Sequence, residues 1–172
     1  SSTDTVPAQI TDGSSTVTIN DNDINVLTAN FNFDYATTFS DLGINIDARF
    51  STASSTSTWF SGDMTKRSET GDLTNFKILS SDLINNFSNK WKLLVENEIG
   101  LIKNNNDTYS IIKIIDSKRR ISGDDIDGVT VNYGYLKKDS NTNTYSYTSS
   151  LPSIYQITPS SSIINEGDIL TT

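Results

Sequence analysis

Apolar residues in this chain recur at every second position, and that period dictates strands before any other feature is considered. Val17 and Ile19 share a face, Leu27, Phe31, Phe33 and Tyr35 occupy odd positions of the next segment, and Ile44, Ile46, Ala48 and Phe50 repeat the pattern on even ones. Only an extended backbone sends alternate side chains to the same side. Ser, Thr and Asn supply 65 of the 172 residues, against four Glu, and such short polar side chains hydrogen-bond their own backbone and oppose helices.

One stretch departs from this period. Ser81-Asp82 reads as an N-cap pair, and Leu83, Ile84, Phe87, Trp91, Leu94 and Val95 recur near helical spacing, predicting one short helix near 81–92, although Trp91 to Val95 equally suits the opening of a strand. Residues 61–74 have no clear period and read as loop. Beyond the helix, Ile99 to Lys103 and Tyr109 to Asp116 flank the turn-forming Asn104-Asn105-Asn106-Asp107. Ile111-Ile112-Lys113-Ile114-Ile115 is apolar on both faces and predicts a central strand. A second hairpin joins Val129 to Lys137 with Thr144 to Ser150. The predicted fold class is α+β and predominantly β: an antiparallel sheet or sandwich with one helix and a C-terminal meander.

The chain has no His and no Cys, so catalytic sets built on imidazole or thiolate, disulfides and zinc sites of the usual kind are excluded. Lys and Arg total 13 against 21 Asp and Glu, a net charge of −8 that gives no support to nucleic-acid binding. No stretch reaches the roughly 18 apolar residues that a membrane-spanning helix needs. For catalysis the carboxylates remain, and Glu96 and Glu98 on a strand would share a face; their neighbours Lys90 and Lys92 make a solvated edge the better reading, and no enzyme is expected.

One acidic cluster could supply hard oxygen ligands. Asp124, Asp125 and Asp127 lie in Ser122-Gly123-Asp124-Asp125-Ile126-Asp127-Gly128, which fails the EF-hand spacing because Gly134 falls at the bidentate position; a polar loop is the competing reading. No other cofactor than Ca²⁺ is suggested. Among aromatic residues, a register pairing Tyr133 with Tyr147 and Tyr135 with Tyr145 would set four rings on one side of the last hairpin, as a binding or interface face or as ordinary cross-strand packing. Trp59 and Trp91 read first as core anchors, with an interface role second.

Thr16-Val17-Thr18-Ile19-Asn20-Asp21-Asn22-Asp23 resembles the closing strand and acidic tail of a Calx-β repeat, and Ile157-Thr158-Pro159 with Ile164-Asn165-Glu166-Gly167-Asp168 is similar to the opening of Calx-β or Ig-like repeats. Such repeats occur in virion structural proteins of tailed phages and in large bacterial surface proteins. The resemblance implies that Asp21 and Asp23 can contribute Ca²⁺ ligands. It also implies three parts: the end of a preceding repeat or a linker at 1–24, a central β-rich module at 25–150, and a linker with the start of a following repeat at 151–172. Both ends then read as interior points of a longer chain. The function expected is a structural component of a tailed-phage virion (head decoration, tail or fibre protein) acting by assembly or surface attachment, or alternatively a glycan- or surface-binding module of a secreted adhesin. The expected partners are other virion or surface subunits and host-surface glycan, at a virion or extracellular surface.

Overall fold

The computed structural model describes residues 4–10, 13–19, 24–32, 36–52, 54–67, 71–118 and 126–152. Among these residues thirteen strands run in chain order through β1 (Asp4–Ile10), β2 (Gly13–Ile19), β3 (Asn25–Asn32), β4 (Thr37–Thr38), β5 (Ala48–Thr52), β6 (Ser57–Arg67), β7 (Lys77–Leu79), β8 (Ser88–Asn89), β9 (Lys92–Val95), β10 (Ile99–Lys103), β11 (Tyr109–Lys118), β12 (Ile126–Asp139) and β13 (Thr144–Thr148). Every pairing between them is antiparallel. The fold is predominantly β with very little helix, as the alternation predicts.

The order β1-β2-β3-β12-β11-β10-β6-β5-β4 bends into two layers because β6 belongs to both. Its first half pairs with β5 and β9, and its second half, from Asp63 on, with β8 and β10. The changeover falls at Gly62, where an added Cβ would lie 2.7 Å from the Asp47 carbonyl oxygen. Strands that switch sheets are the usual way to turn the corner of a sandwich. The smaller sheet therefore folds over the larger one, and a buried 2.8 Å hydrogen bond between Thr58 and Ser117 ties the start of β6 to the far end of β11.

Between the layers lies the first core. Phe39, Phe50 and Phe60 from the smaller sheet and its approach meet Leu27, Ile102, Ile112, Ile114, Val131, Tyr133 and Tyr135 from the larger. The opposite face of the larger sheet carries a second core, in which Leu73, Phe76, Ile78 and Leu83 cover Ile99, Leu101, Ile111 and Leu136. Strand β11 thus buries Ile111 on one face and Ile112 and Ile114 on the other, the two-sided burial its sequence predicts. Ile115 falls at a register shift and is 40% exposed, the unpaired residue of a bulge. The hairpin β10–β11 and the meander through β13 also follow the sequence.

Two expected elements differ. The helix near 81–92 is a single turn, Ser80–Leu83, capped by no side chain; Asn86 has φ 76, and Ser88–Asn89 and Lys92–Val95 are strands. Pairing of β9 with β6 overrides the helical spacing, because it sends Leu94 into the first core while Leu83 fills the second. The first half of the loop expected over 61–74 is strand, since β6 continues to Arg67, and a 3-10 turn follows at Leu73–Asn75. The strand's period is hidden by polar residues such as Thr65, which is buried against β10 rather than solvated.

The boundary expected at residue 24 falls between two strands that are bonded to each other. Strand β2 pairs with β3 from Ser15↔Ala29 to Ile19↔Asn25, so β1 and β2 extend the module's own larger sheet.

Burial also sets the alkaline limit of stability. Tyr133 is held well above the ordinary tyrosine range by desolvation first and then by Tyr135 and Tyr147, and burial raises Tyr109, Tyr135 and Tyr145 as well. The unfolded chain gives up these protons near pH 10 while the folded chain keeps them, so stability falls as pH rises above about 10. Melting temperature should decline steadily there, with tyrosinate absorbance growing in step with loss of far-ultraviolet dichroism. Full tyrosinate formation in a still-folded protein would contradict the burial.

Candidate binding surface

In the smaller sheet the even residues Ala48, Phe50, Phe60 and Leu94 point into the first core. Strand geometry therefore turns Arg49, Ser51, Trp59, Ser61 and Leu93 outward. Register places Ser51 opposite Trp59 and Arg49 opposite Ser61 on one side of β6, and Leu93 opposite Trp59 on the other. Trp91 immediately precedes β9, and the Arg49 guanidinium carbon sits 5.1 Å from its ring centroid. Ser61, opposite Arg49 in the register, faces outward yet is only 8% exposed.

The two indoles remain open, with Trp59 38% and Trp91 41% exposed. Together with Ala36 and Ser51 they line a shallow hollow of about 490 Å³. A second hollow of about 340 Å³ is lined by Arg49 and Ser61 together with Asp47 and neutral polar groups including Thr38, Ser40, Asn89 and Asn105. The sequence reading of both tryptophans as core anchors is corrected here. The signal was present in Trp59-Phe60, since adjacent residues of a strand face opposite sides and only one of the pair can enter the core.

The four-tyrosine face does not form. Asp139 pairs with Thr144, Leu136 with Tyr147 and Tyr135 with Thr148, so the register is shifted by three residues from the expected one. An odd shift moves one strand's side chains to the other face. Tyr133 and Tyr135 enter the first core at 5% and 6% exposure, whereas Tyr145 and Tyr147 pack against the second. The cause is the turn: the strands are joined by four residues rather than six, with Asn143 at φ 52 and the Asp139 carboxylate accepting from the Asn141 N–H at 2.9 Å. That bond holds the Asp139 carboxyl below its ordinary range.

Tyr145 instead meets Tyr109 edge-on at 5.4 Å, and Tyr109 meets Phe87 at 5.8 Å. Tyr109 and Tyr145 border a cleft of about 440 Å³ that also takes Asn106, Thr108, Lys137 and Lys138. Its aromatic floor is the edge of the second core, so packing accounts for it.

Glu96 and Glu98 are not strand neighbours but flank Asn97 in the turn between β9 and β10, where Asn97 has φ 71. The Glu98 carboxylate accepts from the Val95 N–H at 2.8 Å and pairs with Lys66 at 2.8 Å, which gives it a turn-closing role. Of the expected calcium ligands, Asp21, Asp23, Asp124 and Asp125 lie outside the described residues, and Asp127 is placed by its backbone alone, opposite Phe31 in β12. Among the described residues no three acidic side chains gather to hold a metal ion, and no helix is long and apolar enough to cross a membrane.

Comparison with protein-family models, with curated proteins and with solved structures finds no match to this chain.

Proposed function

We propose that the chain is a non-catalytic attachment module of an exposed structural protein, in the first instance a head decoration, tail or fibre component of a tailed phage. The observation that carries this reading is the outward-facing pair Trp59 and Trp91. Leaving two of the largest apolar side chains more than a third exposed on and beside one sheet face forfeits roughly 1.5–3 kcal/mol of burial for each, a cost that a surface ligand recovers. Trp and Arg together also form the composition of binding hot spots. Strand β1, at the end of the larger sheet among the described residues, offers a backbone edge through which neighbouring subunits or repeats can add. A glycan-binding module of a secreted adhesin would use the same Trp59–Trp91 face, and differs in the particle that carries it.

The test is attachment of the fluorescently labelled chain to intact bacterial cells. Saturable binding is expected, with at least a tenfold loss in the Trp59→Ala/Trp91→Ala variant at unchanged fold. Binding indifferent to both substitutions would remove the reading.

A further inference from the structure

We infer that the face built by Arg49, Trp59 and Trp91 binds a carboxylate-bearing saccharide, an inference that rests on the attachment reading and names its ligand. The face is a chequerboard rather than a continuous apolar patch. Small hydroxyl residues alternate with rings, Ser51 beside Trp59 and Ser61 between Arg49 and Trp91; the Arg49 guanidinium lies over one side of the Trp91 ring, and both indoles keep more than a third of their surface open. The π-face of an indole is negative, and the C–H groups on one side of a pyranose ring are polarised positive, so a sugar stacks there while its hydroxyls stay wet at the rim. A protein partner would require a wide dry patch around such anchors. Strand register sets a second hollow beside the one lined by both indoles, since its Arg49 and Ser61 lie two residues along β5 and β6 from Ser51 and Trp59, and its hydroxyls and amides, Thr38, Ser40, Asn89 and Asn105, suit the next residues of a polysaccharide.

Arg49 supplies the charge preference. Its guanidinium lies over Trp91, and no carboxylate of the described residues pairs with it within 4 Å. Asp47, two residues away and also at the second hollow, commits one carboxylate oxygen to the Asn105 N–H at 2.7 Å. A stacked guanidinium keeps its in-plane donors available, and a fork of two parallel N–H groups matches a carboxylate. In a chain of net charge −8, a guanidinium held on an aromatic ring with no carboxylate of the described residues within 4 Å puts a positive charge at the Trp91 end of this face.

The chain has only two tryptophans, so intrinsic fluorescence reports on this face directly. Polygalacturonate, alginate and polysialic acid should each be titrated beside the carboxyl-reduced form of the same polymer. At least one acidic polymer should shift the emission saturably and bind tenfold or more tighter than its reduced form, and added salt should weaken it. Arg49→Ala should abolish the preference for the acid, Arg49→Lys should restore only part of it, and Trp59→Ala should weaken both forms. Equal binding of acidic and reduced polymers overturns the inference. So does Trp59-dependent self-association in sedimentation, which would give the face to a second copy of the chain. Failure of all three acids, with Trp59-dependent attachment to cells intact, removes the ligand class and leaves the attachment reading standing; loss of attachment as well removes both.

Discussion

Gly134→Ala should destabilise the protein by about 3 kcal/mol, a large effect for one methyl group. The added Cβ would lie 2.3 Å from Cε2 of Tyr147, 2.9 Å from its Cζ and 2.7 Å from the Thr148 carbonyl oxygen. The ring cannot simply swing away, because the Tyr147 hydroxyl donates to the Tyr133 carbonyl at 3.1 Å and accepts from the Asn25 N–H at 3.4 Å. These bonds sit where β3 ends and β13 begins along one edge of β12, Asn25 opposite Tyr133 and Thr148 opposite Tyr135. The Asn25 side-chain amide closes the same seam by donating to the Ser149 carbonyl at 2.7 Å. Room for the methyl therefore has to come from displacing β13. Urea unfolding of the variant, repeated in a Tyr147→Ala background, should show a clearly smaller penalty once the ring is gone. A cost below about 0.5 kcal/mol for the single variant would mean that the ring does not lie across Gly134.

Phe60→Ala should be more damaging still, at about 3–5 kcal/mol, because it empties the centre of the first core. Phe60 is fully buried, with its ring 6.0 Å from that of Phe50 and 6.4 Å from that of Phe39, while Phe39 meets Phe50 edge-on at 5.2 Å. These rings are the contact by which the smaller sheet holds to the larger, and the backbone of β6 cannot collapse into the gap because both its edges are paired. Native stabilities of about 5–15 kcal/mol leave little after such a loss. The melting temperature should fall by roughly 10 °C or more. A small loss would show that the two layers are held chiefly by β6 itself rather than by the core between them.

The period of two carried most of the fold. It marked β3, the approach to β5, and β10 to β12, because a strand with one buried face cannot hide its alternation. It told less where tertiary context set the outcome. Leu83, Ile84, Phe87, Trp91 and Leu94 are spaced like a helix, yet Leu83 and Leu94 enter different cores and Ile84 is 71% exposed. The register of the last hairpin turned on whether its loop took four residues or six, and both lengths suit the polar run 138–143. That ambiguity alone dispersed the expected tyrosine face. The tryptophan face was legible only by pairing Trp59 with its neighbour Phe60, and its partner Arg49 is 42 positions from Trp91, brought near by the β5–β6–β9 pairing.

Attachment without turnover is the claim that matters most, and the ligand itself records it. Surface polysaccharide extracted from cells that the chain binds should be incubated overnight with saturating protein and its size measured by light scattering after gel filtration. The account predicts that the polymer keeps its length and that the protein is recovered from it unchanged. Shortening of the polymer that depends on the protein would contradict it.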